Sequence, residues 1–139
     1  LWPGINGNAP IYVKGDNFYF KLRESNVFYL FYAFSVYDQF IQTIFNGNTA
    51  ALSGGAIFSG IGNTDIVIMP GTVFTKNAVT GATGSGGALF LNGNSLVYIY
   101  SSFERNRAYT GGAVTISQLN FPINFVHCMF IENSASNGG

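Results

Sequence analysis

Apolar and polar positions alternate along this chain in short runs. In "LVYIYSSF" (96–103), Val97 and Ile99 share one parity, and Tyr98 and Tyr100 the other. A period of two predicts a strand, and no run shows the 3.6-residue period of a helix. The runs "DQFIQTIF" (38–45), "IVIMPGTVF" (66–74) and "INFVHCMF" (123–130) are of the same kind. Gly- and Asn-rich stretches separate them, and such punctuation between short strands predicts an all-β fold. "IYVKGDNFYFKL" (11–22) also alternates, and "NVFYLFYAF" (26–34) reads as a buried strand. The longest apolar stretch, 27–37, is about half of what a membrane helix needs.

The runs belong to a repeat. Phe-x-x-Asn occurs at Phe45/Asn48, Phe74/Asn77, Phe103/Asn106 and Phe130/Asn133, with Phe-to-Phe spacings of 29, 29 and 27. Each pair leads to a Gly-Gly: Gly54-Gly55, Gly86-Gly87, Gly111-Gly112 and Gly138-Gly139. The first three continue with Ala56, Ala88 or Ala113 and then Ile57, Leu89 or Val114. Leucine-rich repeats need Leu at fixed offsets, and propeller blades need about 40 residues. A parallel β-helix with one unit of roughly 27–29 residues per coil is the geometry that remains. About five coils are expected: residues 45–139 as regular repeats, and 1–44 as irregular coils or a cap continuous with them.

Stacked coils lie about 4.8 Å apart, so equal positions form ladders. The four Phe are expected inside as stacked rings, and the four Asn at a tight corner. Asn tolerates left-handed backbone, and its amide can pair with the coils above and below. The Gly-Gly turns supply positive φ. Ile57, Leu89 with Leu91, and Val114 with Ile116 are expected inward, and Phe58 and Phe90 take the opposite parity. The residues before Asn are Gly47, Lys76, Arg105 and Glu132, so Arg105 and Glu132 should face each other on adjacent coils.

Gly-Gly-Ala-[Ile/Leu/Val] alternating with Phe-x-x-Asn resembles the repeats of the chlamydial polymorphic outer-membrane proteins. The resemblance covers about residues 45–139. It implies a right-handed parallel β-helix on an extracellular surface, used for adhesion or as a stalk. Members of that family carry a secretion signal and a membrane-anchoring barrel; neither is read in this chain. "LWPGINGNAP" shows no signal-peptide pattern, and the last Gly-Gly lacks its Ala, so a processed or excerpted chain is expected.

Composition sharpens this picture. Aromatics are 17% and charged residues 9%, against about 25% charged in ordinary soluble domains. So few charges on so apolar a chain point to a covered surface, as in an oligomer or fibre. Six basic and six acidic residues cancel without a basic stripe, which argues against nucleic acid as partner. One cysteine excludes an internal disulfide.

Candidate chemistry is sparse. "GATGSGG" (81–87) lacks the Gly-Lys-[Ser/Thr] of a P-loop and reads as a loop insertion at one corner. His127 and Cys128 are neighbours on a strand and should diverge, which excludes a nucleophile pair. Cys128 is expected at a small interior or corner position. Glu104 and Glu132 differ by one in repeat offset, and Asp38 and Asp65 read as turn caps that could approach each other. No cofactor, metal or catalytic residue is expected. Tyr98 and Tyr100 share an outward face that could dock sugar rings.

The reading is therefore an extracellular structural solenoid: a fibre or stalk segment, or a filament subunit stacking head to tail. The alternative is an adhesin module binding a glycan or host receptor through Tyr98 and Tyr100. A fragment of a polysaccharide-degrading enzyme, using Asp38 and Asp65, ranks third.

Overall fold

A computed structural model describes residues 11–13, 19–20, 28–30, 36–40, 44–59, 64–92, 97–118 and 122–137. β1 (Ile11–Val13), β2 (Tyr19–Phe20), β3 (Phe28–Leu30) and β4 (Val36–Phe40) come first. Three-sided turns of chain follow, beginning with β5 (Ile44–Asn46), β6 (Thr49–Ala50) and β7 (Ile57–Ser59). The next holds β8 (Thr64–Thr75), β9 (Ala78–Val79) and β10 (Leu89–Asn92). Then come β11 (Val97–Glu104), β12 (Arg107–Thr110) and β13 (Val114–Ser117). The last described turn holds β14 (Ile123–Phe125), β15 (Met129–Ile131) and β16 (Ser134–Asn137).

The paired strands run parallel and form three sheets. The first is β1-β3-β7-β10-β13, and the third is β6-β9-β12-β16. The second is β2-β4-β8-β11-β14, with β5 and β15 pairing β8 and β11. Parallel neighbours need a long crossover. Here the crossover is the rest of the turn, as in a parallel β-helix. No helix occurs among the described residues.

Register carries the repeat. Phe45 lies opposite Phe74, Phe74 opposite Phe103, and Phe103 opposite Phe130. On the first sheet Ile57, Leu89 and Val114 line up. Extra residues are absorbed as bulges. Ile99 faces Ile68 but Ser101 faces Thr72, so Met69, Pro70 and Gly71 stand against Tyr100 alone. Proline suits a bulge because it has no N–H for the ladder. The 81–87 stretch is likewise a corner insertion: Ser85 bridges Ser53 and Thr110, while Ala82 and Thr83 are exposed.

The first turn of chain is shorter. Ile11 faces Phe28, 17 residues on, whereas Phe28 faces Ile57, 29 residues on. Thus β1 to β4 extend the first two sheets, and no strand described before β5 joins the third. The apolar 27–37 stretch is not one strand. It is divided between β3 and the start of β4, which lie in different sheets.

Strand alternation separates core from surface. In β11, Val97, Ile99, Ser101 and Phe103 are buried, and Tyr98, Tyr100, Ser102 and Glu104 are half-buried. Phe45, Phe74, Phe103, Ile57, Ile66, Ile68, Leu89 and Leu91 are fully buried. Burial of each such side chain contributes about 1.5–3 kcal/mol. The third side is lined by small residues, Ala50, Val79 and Ala108.

Candidate interaction surfaces

The Phe-x-x-Asn motif builds two ladders along the stack. The rings of Phe45, Phe74, Phe103 and Phe130 stack at centroid distances of 4.7, 5.0 and 4.9 Å, within 8° of parallel. Beside them runs a chain of amides. Asn48 donates from its backbone N–H and its Nδ2 to Oδ1 of Asn77, at 3.0 and 2.8 Å. Asn77 donates in the same way to Asn106, and Asn106 to Asn133. Each Nδ2 of Asn77, Asn106 and Asn133 also donates to a carbonyl of the preceding turn, that of Phe45, Phe74 or Phe103. Every Asn-to-Asn bond runs from donor to acceptor toward the C-terminal end.

The left-handed backbone lies one residue before the asparagine, contrary to expectation. Gly47 has φ 70°, Lys76 55°, Arg105 54° and Glu132 51°. That residue makes the bend, and the bend aims the following Asn into the stack. Asn is needed for its amide, not for its φ. Lys76 and Arg105 also donate their N–H to Glu104 and Ile131 of the next turn.

Both glycines of each Gly-Gly are constrained, for different reasons. Gly54, Gly86 and Gly111 have φ of 63°, 70° and 59°. Gly55 and Gly87 have ordinary φ, but a Cβ there would run into the carbonyl oxygen of Gly87 or Gly112 on the next turn. This close approach arises between turns and has no mark in the linear sequence. Gly138 and Gly139 lie outside the described residues.

Charge gathers at the Asn corner. Lys76, Glu104, Arg105, Arg107 and Glu132 are within or next to Phe-x-x-Asn motifs. Arg105 Nε meets Glu132 Oε2 at 2.6 Å, the pair the repeat register requires. The hydrogen bond that Arg105 donates to Glu132, and then the Glu132 charge, raise the Arg105 pKa above the ordinary value.

The candidate binding face is less regular. Tyr98 lies between Val67 and Asn124, and Tyr100 opposite the bulge. No described ring stacks on either, so they form no aromatic row. The outward aromatic stack is Phe58 on Phe90, 5.2 Å apart, on the first sheet. Both of its rings are half-buried.

The acids do not come into register. Asp38 faces Ile66 while Asp65 faces Tyr37, and Glu104 faces Ile131. His127 is exposed on a left-handed bulge, φ 50°, rather than on a strand. Phe125 faces Ile99 but Met129 faces Ser102, so the last turn has one more residue there than its neighbour. Cys128 is half-buried, its Sγ 3.1 Å from the Ile99 carbonyl. Ser101 uses its hydroxyl similarly, donating to the Thr72 carbonyl at 2.6 Å. Among the described residues no three His, Cys, Asp or Glu side chains are grouped as a metal site would require.

The C-terminal end is unlike the middle. Ile116, Phe125 and Phe130 continue the inward columns of Leu91, Ile99 and Phe103. They are nevertheless 37%, 40% and 52% exposed, where the preceding turn shows 0%. Val114 and Ile116 thus keep the expected register against Leu89 and Leu91 but are less buried than those residues.

The model of the Chlamydia polymorphic membrane protein repeat matches residues 42–60. That stretch runs through Phe45, Asn48, Gly54-Gly55 and Ala56-Ile57. No curated protein and no solved structure matches the chain. No described helix is long and apolar enough to cross a membrane. The chain therefore resembles, over its first complete motif, the chlamydial polymorphic membrane protein repeat.

Proposed function

We propose that this chain is a segment of an extracellular surface protein, a stiff β-solenoid that acts as a stalk or spacer rather than as an enzyme. The observation behind this reading is the pair of unbroken ladders, which spend the repeat's distinctive residues on cross-turn contacts. The repeat match supports placement at the outer membrane or cell surface. A right-handed helix of about five coils, as in that family's expected fold, completes the reading.

The test is surface labelling of intact producing cells, together with electron microscopy of the purified protein. Antibody access without permeabilisation, and short straight rods of uniform width, are expected. A signal seen only after permeabilisation would overturn the surface assignment.

A glycan- or receptor-binding role is the second reading. It draws on the half-buried, outward Tyr98 and Tyr100. Glycan-array binding that disappears in the Tyr98→Ala/Tyr100→Ala double variant would favour it over a plain spacer.

A further inference from the structure

We infer that the outer face of the third sheet carries a binding site for an acidic saccharide, with Tyr109 as its platform and Arg107 as its anion clamp. The site lies on a different sheet from Tyr98 and Tyr100. A stalk can carry it on its side, so it goes beyond both readings above.

In β12, Arg107 is exposed, Ala108 is buried and Tyr109 is exposed. Arg107 and Tyr109 therefore project from one face, about 6.6 Å apart along the strand. Small side chains flank both. Arg107 lies between Ala78 and Ser134. Ala108 faces Ala135 and Thr110 faces Asn137, which puts Ser136 against Tyr109. On the other side the register brings exposed Thr80 level with Tyr109. The Tyr109 ring is 40% exposed, and no described ring stacks on it.

The corner insertion sits beside this ring. Phe74 to Gly86 spans 12 residues, against 9 from Phe45 to Gly54 and 8 from Phe103 to Gly111. Gly84 closes a turn by donating to the Gly81 carbonyl at 3.0 Å, and Ala82 and Thr83 are left exposed. The Gly84 carbonyl accepts from Tyr109 N–H at 3.1 Å and from Thr110 N–H at 3.0 Å, so the turn is fastened to the strand that carries the ring. In stacked repeats an insertion in one unit maps to a loop on one face, often the face that binds.

Charge selects the occupant. The four described strands of the third sheet contain no acid, and Arg107 is their one charge. No carboxylate pairs with Arg107 among the described residues; Glu132 pairs with Arg105. A guanidinium forks onto a carboxylate or a sulfate with two parallel hydrogen bonds. The flat C–H face of a sugar ring packs on an open tyrosine ring, whose hydroxyl stays free to bond a sugar hydroxyl. The hydroxyls of Ser134 and Ser136 lie on the neighbouring turn. An acidic peptide carries the same anion, but β12 is paired on both sides, so a peptide cannot add to it as a strand.

The experiment is isothermal titration of the full chain with a sulfated heparin oligosaccharide and a carboxylated polygalacturonate oligosaccharide, against a neutral cello-oligosaccharide. Saturable binding of at least one acidic probe is expected, weaker at high salt, and the probe that binds identifies the anion. Arg107→Gln and Tyr109→Ala should each weaken it roughly tenfold. Arg107→Lys should fall between wild type and Arg107→Gln, since an ammonium keeps the charge but not the fork. Lys76→Gln, at the neighbouring corner, should leave binding unchanged. No binding, equal binding of the neutral probe, or full binding by Tyr109→Ala would overturn the proposal. So would equal losses from Lys76→Gln and Arg107→Gln, which would mean diffuse charge attraction. Tighter binding of polyglutamate than of either saccharide would overturn it in favour of an acidic peptide. Binding lost in Tyr98→Ala/Tyr100→Ala but kept in Arg107→Gln would overturn it in favour of the second sheet. Failed surface labelling would leave this result standing, and failed saccharide binding would leave the stalk reading standing.

Discussion

Phe103–Asn106 and Phe130–Asn133 are the same phrase in two settings. The first is sandwiched between turns, and its ring and amide are fully buried. The second is stacked on one side only among the described residues, and half of the Phe130 ring is exposed. The letters do not set the energetic weight; the number of covered faces does. In a stacked repeat, stability is close to a sum of units and nearest-neighbour interfaces, so an end unit has one interface where a middle unit has two.

Substitutions made in matched pairs test this contrast. Phe103→Ala should destabilise by about 4 kcal/mol in chemical denaturation, as expected for a buried aromatic. Phe130→Ala should cost less than half as much. Equal losses would mean that the end is covered in solution. Asn77→Leu is next. It leaves the Asn48 N–H without its acceptor and removes the donors to Asn106 and Phe45, a loss of about 3 kcal/mol. Asn133→Leu should show a smaller loss by the same measurement.

The glycines give a third pair. Gly87→Ala forces two turns apart and should lower stability by about 2 kcal/mol. At Gly47 an added Cβ meets nothing within 4 Å, so Gly47→Ala should cost only the left-handed strain, about 1 kcal/mol. Lys76→Gly runs the other way. It relieves that strain and should stabilise by about 0.5 kcal/mol, after the added freedom of the unfolded chain is offset. Glu132→Gln should have the smallest effect. Its ion pair with Arg105 is exposed, so its thermal unfolding should match wild type in physiological salt.

The parallel stacking was legible because Phe, Asn and Gly-Gly recur at a near-constant spacing. The ladders followed from that spacing, and so did the Arg105–Glu132 contact. The position of the left-handed bend was not legible. Lys, Arg and Glu rarely adopt positive φ; at Lys76 and Arg105 the next turn holds the N–H in place, and Glu132 shares their φ. Only Gly47, in the same column, hinted at it. The need for the second glycine was hidden because it arises between turns, not within one. The division of 27–37 between two sheets was also missed, since uninterrupted apolar residues carry no period to mark a corner.

The direction of the cross-turn hydrogen bonds has a mechanical consequence. Bonds such as Gly47 N–H to the Thr75 carbonyl link one turn to the next and so lie along the rod. Tension between the two ends would open them at the outermost turn first, as a zipper opens, rather than loading all of them together. Each turn released adds roughly 100 Å of extended chain in place of about 4.8 Å of rod. A stack bonded in this way gives up length one turn at a time when pulled, instead of failing all at once.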